Sequence, residues 1–204
     1  MTTVDFHTHI LPGIDDGSRS VEESLALLRL EAAQGVRQVV LTPHFYANHD
    51  TPERFLETRR LCEERLMEAL EGDESLPRVI LGAEVHFFEG MSDADVLTQL
   101  TIRGTRCVLV EMPEPPWSKR MFEELLGIHQ KRGLTPIIAH IDRYIAPFHT
   151  HGIPEKLEDL PVYVQANGSF FTRRGTARMA LRMLKNGQIH LLGSDCHNTS
   201  WRAP

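Results

Sequence analysis

Residues 36–44 read VRQVVLTPH. Val39, Val40, Leu41 and Thr42 run without the polar alternation of a half-exposed strand, the pattern of a strand buried on both faces of a parallel sheet. The run stops at Pro43, which cannot donate to a ladder, and delivers His44 just beyond its end. The same sentence is written again along the chain. VILGA runs into Glu84, VLV into Glu111 and PIIA into His140. PVYVQAN carries Gln165 and Asn167, and LLGS leads to Asp195 and His197. A short first strand carries His7, with His9 two residues on.

Helical signals fill the gaps. Ser20 and Glu23 have the spacing of a capping box, and Val21, Leu25, Leu28 and Ala32 repeat at helical intervals up to Gly35. Thr51 before Pro52 opens a helix expected to reach about residue 70. Further helices are expected over residues 93–100, 118–132, 154–160 and 173–186. Strands are expected over 4–7, 36–42, 79–84, 106–111, 135–140, 162–166 and 189–194. No linker divides the chain, so residues 1–204 read as one α/β domain. Alternation of this kind predicts a closed or nearly closed βα barrel with its site at the strand C-terminal rim. Seven strands are one short of the usual eight, which keeps an open sheet as the alternative.

Composition bounds the function. The chain has 204 residues, 25% charged and 41% apolar, with a net charge of −6. A chain of this size buries roughly 70% of its unfolded surface and needs no covalent staples. The acidic balance weighs against nucleic acid or an anionic membrane as the main partner. Three separated cysteines, Cys62, Cys107 and Cys196, suit a reducing, cytoplasmic compartment. No apolar run approaches the ~20 residues that span a bilayer, and MTTVDFHTH lacks the basic and apolar regions of a signal peptide.

The strand-end residues carry imidazole and carboxylate, the ligand types of Zn, Mn or Fe. His7 and His9 lie on one face of an extended segment. An ion pair or a helix cap accounts for any one of these residues, but not for the series. The stretches DFHTHILPGIDDGS, GVRQVVLTPHF, LGAEVHF, IIAHIDRY, VQANGSFF and GSDCHN resemble the PHP (polymerase and histidinol phosphatase) superfamily of metal-dependent phosphoesterases. The branch they are most similar to is the bacterial tyrosine phosphatases of capsule and exopolysaccharide loci.

That resemblance implies a distorted (β/α)7 barrel and three divalent ions, most often manganese, with iron or zinc as alternatives. It implies that His7, His9, Glu84 and Asp195 hold one metal. Glu84 would bridge to a second, held also by Glu111 and His140, and Asp16, His44 and His197 would hold the third. Asp5 would orient a ligand histidine. Arg143 and Arg202 match a phosphate clamp, where a guanidinium meets phosphoryl oxygens in bidentate fashion. The implied partner is a phosphotyrosine protein, such as a bacterial tyrosine kinase of polysaccharide synthesis, and self-association is left open. The family usually continues beyond the position where this sequence stops, two residues after Arg202.

The implied chemistry is attack on phosphorus by metal-activated hydroxide, without a phosphoenzyme. Another phosphomonoesterase activity of the superfamily, such as histidinol-phosphate hydrolysis, is the alternative. A metal-binding regulatory module is the alternative of another class. Cys196 and Arg202 also match the C-x5-R signature of cysteine-based phosphatases. That loop holds no glycine, and it is flanked by the expected ligands Asp195 and His197. Phe45, Tyr46, Phe87 and Trp117 are candidates to stack on an aryl phosphate or to pack locally. His49, His129, His149, His151 and His190 carry no matching motif.

Overall fold

The computed structural model describes residues 2–146 and 152–204. His149 and His151 lie outside the described residues. The chain divides into two compact units, Met1–Ala83 with Ser194–Pro204, and Glu84–Gly193.

In the first unit β1 (Val4–Thr8), β2 (Gln38–Leu41) and β4 (Arg78–Leu81) form a parallel sheet in the order β1-β2-β4. Register is regular between β2 and β4 but shifts in β1 between Asp5 and Thr8, the segment that carries His7. Helix α1 (Val21–Ala33) and helix α2 (Pro52–Leu70) flank a two-residue strand, β3 (His44–Phe45). Ser20 accepts from Glu23 N as a cap, whereas the Glu23 carboxylate reaches past Ser20 to Arg19 N. The capping box is therefore half formed. In α2, Phe55, Arg59, Cys62 and Leu66 make the buried stripe, and Arg59 Nη1 donates to Gly82 O at 2.9 Å. Ile10, Leu11, Leu27, Leu28, Val39, Leu41, Leu66 and Leu81 pack into one apolar core.

The second unit holds a parallel run of β5 (Glu84–His86), β6 (Cys107–Glu111), β7 (Thr135–Ile138), β8 (Tyr163–Asn167) and β9 (Leu191–Gly193), hydrogen-bonded in that order. Helix α3 (Lys119–Arg132) precedes β7; α4 (Ile141–Ile145) and α5 (Ile153–Glu158) precede β8; α6 (Gly168–Thr172) and α7 (Ala177–Lys185) precede β9. Ser118 caps α3, and Gly133, at φ 60°, ends it in the left-handed region that glycine tolerates.

The α/β class is as expected, but several elements are not: α4 and α6 stand where no helix was expected, α7 begins at Ala177 and not near 173, and three further boundaries have identifiable causes. The strand expected over 79–84 breaks at Gly82, whose N–H turns to Leu41 O at 2.8 Å, so Glu84 opens a new strand instead of closing one. His44 likewise begins β3. The helix expected over 93–100 is a pair of 3-10 turns, Met91–Asp93 and Asp95–Gln99. Tertiary bonds decide it: the Glu124 carboxylate of α3 takes the N–H groups of Gly90 and Ser92 at 3.0 Å each. Among the described residues, no helix is long and apolar enough to cross a membrane.

Candidate metal centre

The first unit gathers six of the expected ligands. His7 and His9 leave the end of β1, Asp16 and His44 stand on the loops that follow β1 and β2, and Asp195 and His197 follow β9 in sequence. His7 Nε2 and His9 Nε2 are 3.2 Å apart, and each is 3.6 Å from Asp195 Oδ1. Donors about 2.0–2.2 Å from one ion stand roughly 3–3.5 Å apart, so this trio has the spacing of a shared cation. A second group, His9, Asp16, His44 and His197, offers four donor atoms within 4.8 Å of one another. All of these side chains are buried or nearly so except Asp16, whose side chain is 65% exposed.

The tautomer of His197 makes the fit specific. Its Nδ1 is 3.0 Å from Asp195 O. A carbonyl only accepts, so Nδ1 carries the proton. Burial and the neighbouring His9 push the pKa down to about 4, so the ring is neutral. Nε2 is then a bare lone pair. It is buried, has no hydrogen-bond partner among the described residues, and points at Asp16 Oδ1 across 3.3 Å. Two acceptors face each other there, an arrangement that a cation resolves.

Asp15 was not among the residues singled out by sequence. Its Oδ2 stands 2.8 Å from His9 Nδ1 and also accepts His44 N, while Oδ1 accepts Gly17 N. Burial raises its pKa, but these bonds outweigh burial and hold it at about 2. The carboxylate fixes the His9 ring so that Nε2 faces the cluster, as the outer partner of a metal-ligating histidine does. The doubled Asp15–Asp16 was the available signal. Asp5 takes the N–H groups of His7 and Ser194 instead of a histidine ring, so it braces the backbone on both sides of the site. Beside it the carboxyl of Glu31 is pushed up to about 9 by burial and by the Asp5 charge. Nothing in sequence distinguishes Glu31 from a solvent-facing helix residue.

The second unit gathers the remaining three. His140 Nε2 lies 2.9 Å from Glu84 Oε1 and 3.6 Å from Glu111 Oε1, with Glu84 and His140 almost wholly buried. Burial opposes charge on His140, yet the bonds to Glu111 and Glu84 raise its pKa to about 9. Glu111 is held at about 2 by His140 and His86 despite its burial. Two carboxylates here demand a cation, and the His140 proton supplies one. His86, left aside in the sequence, orients Glu111 through Nδ1 at 3.0 Å. Gln165 Oε1 accepts His140 N at 2.6 Å and Gln165 Nε2 donates to Asn167 at 3.1 Å, so this pair fixes the loop bearing His140. Among the described residues, His140, at φ 29°, and Asp195, at φ 56°, are the non-glycine residues with positive φ. Such strain costs about 1–3 kcal/mol and gathers at functional sites.

Arg202 Nη2 pairs with Asp195 Oδ1 at 2.8 Å, and Nη1 lies 3.8 Å from Asp16 Oδ2. Arg143 sits in the first turn of α4, its N–H on His140 O at 2.8 Å, and its charge acts against the proton on His140. Cys196 is fully buried, and burial followed by the Asp5 charge raises its thiol well above the ordinary range. The C-x5-R coincidence therefore offers no thiolate.

Parallel strands that deliver clustered imidazoles and carboxylates define a candidate divalent-metal centre on an α/β fold. The chain belongs to the CpsB/CapC family of capsular polysaccharide synthesis, which it matches over residues 3–204. It is 29% identical to the tyrosine-protein phosphatase CpsB of Streptococcus pneumoniae over 98% of this chain and 85% of that protein. It is 28% identical to the tyrosine-protein phosphatase YwqE of Bacillus subtilis (strain 168), over 98% and 79%. Its fold superposes at a TM-score of 0.84 and 23% identity on a solved chain described with YwqE from Bacillus subtilis and CpsB from Streptococcus pneumoniae as unique metal-dependent tyrosine phosphatases. The match covers 98% of this chain and 82% of that one.

Proposed function

We propose that this chain is a metal-dependent protein-tyrosine phosphatase, working as one domain in the cytoplasm. Its substrate is a phosphotyrosine protein that regulates capsule or exopolysaccharide synthesis, such as a tyrosine kinase of that system. The observation that carries the reading is the bare His197 Nε2 facing the Asp16 carboxylate, within a family whose relatives bear the phosphatase name.

The proposed ligands are His7, His9, Asp16, His44, Glu84, Glu111, His140, Asp195 and His197, for three divalent ions, manganese first. Bound ions supply the positive charge and the water activation that phosphoryl transfer needs near neutral pH. Asp15 keeps His9, and His86 keeps Glu111, in the orientation for ligation. Arg143 and Arg202 direct guanidinium N–H groups at the phosphoryl oxygens. Water is the nucleophile and the bond from phosphorus to the phenolate oxygen breaks, with no phosphoenzyme. The phenolate, of pKa ~10, departs with less help from an acid than an alkoxide needs.

The test has two arms. Anomalous scattering at the Mn, Fe and Zn edges, on crystals grown without added metal, counts and names the ions. A panel of phosphotyrosine peptide, histidinol phosphate and nucleotides, with and without EDTA, reads the activity. EDTA-sensitive turnover of the peptide ahead of the others is expected. Preference for histidinol phosphate would select the alternative phosphomonoesterase, and metal-loaded protein without turnover would select a regulatory module.

A further inference from the structure

The first unit contains a cavity of about 540 Å3 that runs from Asp16 and His44 along Tyr46 and His49 to Phe55 and Arg54. Its volume lies within the ~300–1,000 Å3 of small-molecule sites and far exceeds the room that a phosphoryl group alone fills. One end is bordered by two proposed ligands, so a bound phosphoester would send its leaving group into this space. The walls suit an uncharged aromatic ring. Tyr46 is half-buried, and its ring is 5.2 Å from that of His44, at 34°, and 5.7 Å from that of His49. At the far end Arg54 is already paired with Asp50 at 3.6 Å. A nucleotide would bring further phosphates toward a guanidinium that Asp50 neutralises, and past the carboxylate of Asp15. Two of the other aromatic candidates are spent on packing. Phe45 is buried against Phe55 at 5.0 Å, and Trp117 is buried against Tyr144 at 5.0 Å.

We infer that this groove receives the aryl ring of the substrate, with Tyr46 as the stacking wall that sets specificity for aryl over alkyl phosphates. The inference rests on the phosphotyrosine reading and names the part of the chain that would recognise the tyrosine. Offset stacking on one aromatic side chain is worth roughly a two- to tenfold change in affinity.

Two non-hydrolysable probes, phenylphosphonate and methylphosphonate, are titrated calorimetrically into metal-loaded wild type, Tyr46→Phe and Tyr46→Ala. Tyr46→Ala is expected to weaken phenylphosphonate roughly two- to tenfold relative to methylphosphonate, and Tyr46→Phe to keep the wild-type ratio. Equal weakening of both probes, an unchanged ratio, or no binding of phenylphosphonate to wild type would overturn the groove. Peptide turnover by wild type is read in parallel. A protein that hydrolyses phosphotyrosine with an unchanged probe ratio in Tyr46→Ala keeps its proposed activity and loses this groove. A protein that binds phenylphosphonate through Tyr46 but never turns over the peptide keeps the groove and loses the activity.

Discussion

His197 and His9 are prepared as ligands by the bond each makes on its far side. His197 gives Nδ1–H to Asp195 O, and His9 faces Asp15 through Nδ1, so both present Nε2 to the cluster. In Asp15→Asn one carboxylate oxygen becomes a donor and can no longer accept. The charge is lost, and His9, His44 and Gly17 must compete for the remaining oxygen. Metal affinity is expected to fall about 10- to 100-fold by calorimetric titration, with the fold kept by circular dichroism; an unaltered affinity would remove Asp15 from its orienting role. Glu84→Gln tests the ligand set itself, since it keeps shape and removes charge at a fully buried position. Metal content and phosphatase activity should both collapse, and a variant retaining both would strike Glu84 from the ligands. His140 allows a test by pH in EDTA-treated protein. Its pKa is about 9, above the ordinary 6.5, because Glu111 and Glu84 bind the charged ring. The stabilisation is complete below pH 6.5 and is lost as pH rises through about 9. Urea melts of metal-free wild type should therefore lose on the order of 1–3 kcal/mol between pH 6 and pH 9 relative to His140→Gln. Parallel pH profiles for the two proteins would refute the pairing.

The loop after β1 is where an element of structure becomes a site. Ser18 N returns to His9 O at 2.9 Å and Gly13 N to Ser18 O at 2.7 Å, closing the loop against the strand that carries His9. Gly17 lies so close that a Cβ there would meet His9 O at 2.1 Å and His9 Cβ at 2.5 Å. Gly17→Ala must displace His9, and a loss of metal content with at least a tenfold fall in activity is expected from metal analysis and kinetics. Full metal loading and activity in that variant would show that the close approach is not needed. At this scale the sequence was legible wherever a local rule operates. Ser20, Thr51 and Ser118 cap the helices as their neighbours predict, and Gly133 ends α3. It was illegible where a distant partner decides. Gly82 breaks the expected strand because Leu41 O captures its N–H, and Glu124 imposes 3-10 turns on a segment that reads as helix. Glu31 has the sequence setting of an exposed helix residue; only packing against Asp5 makes it a buried, neutral acid. Apolar strand ends marked eight of the nine expected donors and the family resemblance supplied Asp16, whereas Asp15 and His86 act through ring orientation, which spacing does not encode.

For the chain as a whole, folding concentrates charge that water had solvated. Asp5, Asp15, Asp195, Glu84 and Glu111 are all largely withdrawn from solvent, in a protein of net charge −6. Asp15 is answered by His9, and Asp195 by Arg202; Glu84 and Glu111 share the proton of His140. Asp16 and the bare Nε2 of His197 remain acceptor against acceptor. Divalent ions relieve these conflicts only in the folded state, since the unfolded chain does not bring the donors together. Stability must then be linked to metal. One ion held at a hundred times its dissociation constant adds about 2.7 kcal/mol. In a chain of this size each kcal/mol moves the melting temperature by about 2–4 °C, so stripping even one ion should lower Tm by roughly 5–10 °C. Calorimetric melts before and after EDTA, with Mn returned in steps, read this directly. The Glu84→Gln and Asp15→Asn proteins, which bind less, should lose less on chelation. A Tm that stays fixed while metal analysis records complete removal would mean that the donors are preorganised without the ions. The buried carboxylates would then be balanced by Arg202, by His9, His86 and His140, and by the backbone.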